Sequence, residues 1–128
     1  MAFINYNANP FENETIDCVI RGISKLMDIT WDEAYLRLVI KGFEEKEVFT
    51  RNNVWIEFLR ENGYKQYLIP DTCPDCITVA KFANSHPRGR HLLGTGTHVI
   101  AVVDGDYYDT WNSGSELPLY FFRKVNTW

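Results

Sequence analysis

Cys18, His98 and Asp109 are the residues of this chain whose types and order fit nucleophilic chemistry. A cysteine attacks as its thiolate, an imidazole takes or holds the proton, and a carboxylate keeps the imidazole turned the right way. Cys18 falls in what reads as the first turn of an amphipathic helix. From Asp17 onward Val19, Ile20, Ile23, Leu26 and Met27 recur at helical spacing, with Arg21, Ser24 and Lys25 on the other side. A helix start carries unused N–H groups and a partial positive charge, both of which favour a thiolate. With a histidine beside it, such a thiol can fall from a pKa of about 8.5 into the range of roughly 3.5 to 7.5. Asp17 opposes a negative sulfur unless its side chain caps the helix, a role Thr15 could also fill. Taken alone, a cysteine beside Val19 and Ile20 is most simply a small core residue, so the other two groups must decide the case.

His98 opens an apolar run from Thr97 to Val103 that reads as a strand, with Ile100 and Val102 on its face and Val99, Ala101 and Val103 on the other. Apolar residues on both faces mean that both are covered, so a histidine there must be hydrogen-bonded. Asp104-Gly105 has the residues of a tight hairpin turn, and Asp106 to Trp111 returns antiparallel with Tyr107, Asp109 and Trp111 sharing a face. Counted from the turn, Trp111 or Asn112 falls directly opposite His98 and Asp109 lies on the diagonal. Asp109, or the amide of Asn112, could orient the imidazole.

A second set competes. Cys73-Pro74-Asp75-Cys76 followed by His86 and His91 follows the pattern of a structural zinc site. The gap from Cys76 to His86 is short for a zinc finger, no hydrophobic finger pattern fills it, and Pro87 and Gly89 interrupt the would-be histidine helix. A redox role for the cysteine pair needs a thioredoxin-like βαβ setting, which the surrounding elements do not supply. The simplest reading is a turn containing Pro74 ahead of a short helix.

The elements that must position these groups follow from the pattern. Residues 5–14, rich in Asn with one Pro, read as loop. Thr30 and Glu33 form a capping box for a second helix, roughly Trp31 to Glu45, with Ala34, Tyr35, Leu38, Val39 and Phe43 inward. Asn52 or Asn53 caps a third helix carrying Val54, Trp55, Phe58 and Leu59, and Asn62-Gly63 ends it. Tyr64 to Ile69 is a short strand, Thr78 to Asn84 a short helix, and Ser85 to Gly89 a turn. Arg90 to Gly94 and Leu119 to Val125 complete the strands. Three helices ahead of any convincing strand, then a hairpin-rich second half, point to an α+β fold with N-terminal helices packed on a C-terminal antiparallel sheet.

At 128 residues, with 45% hydrophobic and 15% aromatic, the chain can bury one core and is short for two, so residues 1–128 are expected to form a single domain. The net charge of -4 is spread along the length with no basic run beyond Arg88-Gly89-Arg90, which argues against nucleic acid as partner. No segment reaches the roughly 18 apolar residues of a membrane span, and Met1 to Pro10 lacks a signal-peptide pattern. A cytoplasmic protein is expected, with no membrane association. Three cysteines, an odd number, argue against a disulfide framework and for thiols that are buried, reactive or metal-bound.

Asp17-Cys18-Val19-Ile20-Arg21-Gly22-Ile23, Thr97-His98-Val99-Ile100-Ala101-Val102-Val103-Asp104-Gly105 and Tyr108-Asp109-Thr110-Trp111-Asn112 together resemble the papain-like cysteine peptidase superfamily in its small bacterial and phage forms. The pattern covers most of the chain and is similar to the compact branch of peptidases that trim double-glycine leaders. The resemblance implies a cysteine-bearing helix packed on an antiparallel sheet that supplies histidine and aspartate. It further implies a hydrolase of the thiol protease type with Cys18 as nucleophile, His98 as general base, Asp109 as orienting acid, a peptide or protein substrate, and no cofactor. The superfamily usually places a glutamine shortly before the cysteine to donate to the oxyanion, and this chain has Glu12 and Asn13 there. An ionised glutamate cannot donate, so Asn13 and the backbone N–H of Cys18 are the expected donors. Two other readings stay open: a catalytically silent papain-like binding module, and a zinc-stabilised interaction domain using Cys73, Cys76, His86 and His91.

Overall fold

The sheet is organised around the hairpin that the sequence marks most strongly. Asp104 and Gly105 take φ of 50° and 85°. Left-handed backbone at both central positions matches the twist of the flanking strands, and Asp followed by Gly tolerates it well. The turn joins β4 (Val99–Val103) to β5 (Asp106–Asp109), which pair with Val103 opposite Asp106 and Ala101 opposite Tyr108. The computed structural model describes residues 2–13 and 15–125, so Glu14 of the expected N-terminal loop lies outside the described residues.

Within those residues the fold is α+β, with four helices and a six-stranded mixed sheet. The chain runs β1 (Ala2–Asn5), α1 (Cys18–Met27), α2 (Trp31–Glu45), α3 (Asn52–Glu61), β2 (Tyr64–Leu68), α4 (Val79–Ser85), β3 (Arg90–Gly94), β4, β5 and β6 (Tyr120–Lys124). The strand order is β1-β5-β4-β3-β6-β2. Two expectations change. A strand precedes the helices, and it pairs parallel with β5, so the sheet is neither wholly antiparallel nor confined to the C-terminal half. β1 is a four-residue edge strand, mostly exposed, without the alternation that announces a half-buried strand.

Central strand β4 is buried on both faces, and its residues divide between two cores. Val99 and Ala101 join Leu92 and Phe122 beneath α1, α2 and α3. Ile100 and Val102 join Leu93 and Tyr107 against Val79, Phe82 and Ala83 of α4. Helices therefore cover both faces of the sheet, three on one and a short one on the other. Helix α1 lies close to the strands because it carries Gly22: a Cβ there would stand 2.7 Å from Leu92 Cδ1.

Helix α2 follows the sequence at its start more closely than on its face, and α3 does the reverse, burying Val54, Trp55, Phe58 and Leu59 as expected. Thr30 Oγ1 accepts from Glu33 N at 3.1 Å, the forward half of the capping box. The buried stripe of α2 is narrow, Ala34, Leu38 and Gly42 at four-residue spacing, while Val39 and Phe43, expected inward, are exposed. Tyr35 is also half out, stacked on Trp31 and edge-on to Phe49. Arg51, not Asn52 or Asn53, holds the N-cap position of α3. Among the described residues no helix is long and apolar enough to cross a membrane.

Candidate active site

Cys18 is the first residue of α1, after Asp17 in the N-cap position. The helix's own bonding begins with Arg21 N donating to Asp17 O at 2.8 Å, which leaves the first N–H groups beside the sulfur free of helical partners. Asp17 makes no side-chain cap. Its carboxylate instead accepts from Arg21 Nη1 and from Trp31 Nε1 at 2.9 Å, so the negative charge expected to oppose a thiolate is neutralised one turn along.

His98 stands just before β4, and regular pairing starts at Val99 rather than Thr97. Extending the β4–β5 register places His98 opposite Trp111, and the two rings stack at 5.3 Å. Asp109 reaches His98 on the diagonal, with Nε2 to Oδ2 at 2.6 Å. That bond leaves Nδ1 for the thiol of Cys18, which also lies against the backbone N–H of Val99. Tyr107, expected to share a face with Asp109, packs against the α4 core, whereas the Asp109 carboxylate turns to α1. At a strand end the pleat no longer dictates which way a side chain points.

Arg21 completes the arrangement. Its Nη2 donates to Asp109 Oδ1 at 3.0 Å while Nη1 holds Asp17, so one buried guanidinium joins the carboxylates before the cysteine and behind the histidine. Helical periodicity puts Arg21 and Ser24 on the polar side of α1, yet both are buried. The sheet and α2 enclose that helix more fully than a one-sided amphipathic pattern implies. The signal in the sequence was Asp17 and Arg21 at i, i+4, the spacing of a helical ion pair. Asp109, wholly buried, also accepts from Thr110 N at 2.8 Å. The buried Ser113 hydroxyl lies beside it without a well-formed bond.

These contacts set the protonation states. Burial pushes the Cys18 thiol up, but the hydrogen bond with His98, the Val99 N–H and the positive charges of His98 and Arg21 outweigh it and hold the thiol below its ordinary value. Burial pushes His98 down, but its hydrogen bonds to Asp109 and Cys18 and their negative charges raise it to about 9. Burial likewise opposes ionisation of Asp109, and the bond from His98 overrides it to keep the carboxylate below the usual range. The combined effect favours a thiolate and imidazolium pair, oriented by a carboxylate. The pair opens onto a cavity of about 160 Å³ whose wall includes Val19, Asn52, Trp55, Thr97 and Tyr120.

No family model, curated protein or solved structure matches this chain.

The remaining expected site residues do not join this group. Asn13 is exposed; its backbone carbonyl accepts from Asn7 Nδ2, and it lines a neighbouring recess with Glu12, Thr15 and Thr110. It is not on the wall of the Cys18 cavity. Asn112 Oδ1 accepts from Tyr107 Oη and Gly114 N, a turn-bracing role, and the contact to His98 is made by Asp109.

Cys73 and Cys76 are joined in a disulfide, against the expectation of free or metal-bound thiols. The sulfurs are thereby withdrawn from metal binding, and the described residues contain no group of three or more His, Cys, Asp or Glu arranged to hold a metal. His86 stacks on Phe82, and His91 packs edge-on to Phe82 and Phe121. The odd cysteine count pointed away from a pairing that local spacing alone permits.

Proposed function

We propose that this protein is a cysteine hydrolase of the papain-like type that cleaves amide bonds in a peptide or protein through a Cys18 thioester. The observation that carries the proposal is the chain of contacts from Cys18 through His98 to buried Asp109 at a helix start facing a cavity. In this scheme the Cys18 thiolate adds to the carbonyl carbon, and the tetrahedral oxyanion collapses as the amine leaves with the proton from His98. Water then attacks the thioester, His98 takes a proton from it, and the acid departs as the thiolate is restored. Asp109 holds Nε2 so that Nδ1 faces the sulfur throughout.

The test is alkylation by iodoacetamide followed over pH, with peptide mapping, alongside hydrolysis of a panel of short peptide amides. Cys18 is expected to react at pH 6 at close to its pH 8 rate. Cys18→Ala should abolish hydrolysis while leaving the circular dichroism spectrum unchanged. A Cys18 rate that rises with pH like that of a free thiol of pKa about 8.5 would overturn the reading.

One observation favours a second reading, a silent binding module: the segment expected to supply the oxyanion donor, Glu12 and Asn13, stands outside the cavity. Fast alkylation of Cys18 without turnover of any peptide would select it.

A further inference from the structure

The cavity lined by Cys18 and His98 is also lined by Asn52, the exposed first residue of α3. Its side chain is not a helix cap. Its Oδ1 accepts from Trp55 Nε1 at 3.0 Å. Because indole N–H can only donate, the atom facing it must be the amide oxygen, and the orientation of Asn52 is thereby settled. The NH₂ group is left pointing elsewhere, and no acceptor within the described residues takes it. Trp55 is itself buried, packed edge-on to Phe122, so the anchor of this amide is a fixed part of the core. Asn13 is a poor alternative, since it stands in the separate recess.

We infer that Asn52 Nδ2, together with the backbone N–H of Cys18, donates to the oxyanion that forms when the thiolate attacks. The inference rests on the proposed acyl-transfer chemistry. It assigns to a residue 34 positions after the cysteine the role that the resemblance places just before it. An amide held by its oxygen in the wall of this cavity suits this role, because its free donor needs little further ordering when negative charge develops.

Two reagents separate this role from any effect on the thiolate. Iodoacetamide alkylates Cys18 by displacement at a saturated carbon and forms no oxyanion. A p-nitrophenyl ester of a short acyl group acylates it through one: the S–C bond forms, the C–O bond breaks, and p-nitrophenolate leaves. The readout is the ratio of acylation to alkylation rate, corrected for the same ester reacting with Cys18→Ala. In Asn52→Ala the ratio is expected to fall about 100- to 1000-fold. Asn52→Asp, which keeps the oxygen that Trp55 needs, should show the same fall even though its charge alters both rates. An unchanged ratio, or both rates falling together, overturns the inference. If the unaltered protein is alkylated rapidly but is not acylated above the Cys18→Ala background, the acyl-transfer reading fails and takes this inference with it.

Discussion

Two groups of cysteine and histidine lie on opposite faces of one sheet, and their surroundings send them to opposite states. On the α1 face His98 meets a buried carboxylate and a thiol, and its pKa rises to about 9. On the α4 face burial dominates for His91, helped by the positive charges of His86 and Arg123, and its pKa falls to about 4. Both rings are largely enclosed. What separates them is a paired negative charge, supplied on one face by Asp109, with Arg21 and Asp17 completing the network, and absent from the aromatic packing of the other. Desolvation alone makes a histidine inert; desolvation beside a fixed carboxylate makes it a cation ready to hold a thiolate.

The largest break in this contrast comes from removing the carboxylate. Asp109→Ala strips Arg21 of one partner and His98 of its anchor, leaving buried charge uncompensated, and such losses cost about 3 to 5 kcal/mol. Urea denaturation should show a loss of that size, and the alkylation profile of Cys18 should move towards that of an ordinary thiol. Asp109→Asn, which preserves shape, should lose less stability but the same reactivity. Stability unchanged in Asp109→Ala would mean that the four charged groups do not act as a unit.

The second test uses pH. The folded pKa of His91, about 4, lies below the ordinary value of 6.5, so between these limits the unfolded chain binds the extra proton. Stability from this group is present above pH 6.5 and is lost as pH falls through 4, by roughly 3 kcal/mol at the acid end. His98 runs the other way: its folded pKa exceeds its unfolded one, so its contribution is complete below pH 6.5 and fades as pH rises through about 9. His91→Phe should flatten the acid limb of a stability-against-pH curve. At pH 8 it should do little harm, because His91 Nδ1 has no partner among the described residues to lose. An acid limb identical to that of the unaltered protein would show that another group governs it.

The same contrast explains what could be read from residue order. Positions fixed by local geometry were legible: the helix start at Cys18, the Thr30 cap, the Asp104-Gly105 turn, and through that turn the diagonal reach of Asp109 to His98. Groups that gain their role from distant packing were not. Arg21 looks like a surface residue until the sheet and α2 close over it. Asn52 looks like a cap until Trp55 is seen to hold its oxygen. β1 carries no period because an exposed edge strand needs none. The oxyanion donor was sought at Asn13 by resemblance, whereas the side chains lining the cavity come from segments that only the folded chain brings together.

The smallest expected effect is on the α4 face, where the Cys73–Cys76 bridge closes a short loop. Chain-entropy arguments give about 2 kcal/mol for a loop of roughly four residues, and less where the open form keeps its turn. The turn has its own support, since Thr72 O accepts from Asp75 N at 3.0 Å and Thr72 Oγ1 donates to Asp75 O at 2.6 Å. Replacing both cysteines with serine should therefore lower stability by about 1 to 2 kcal/mol and leave the Cys18 alkylation rate within about twofold. A large fall in that rate would show that the two faces communicate. The route would run through residues 117–119, which line the recess beside the disulfide and bond to Gly94 through Leu119 N, two residues before Gly96 at the rim of the Cys18 cavity.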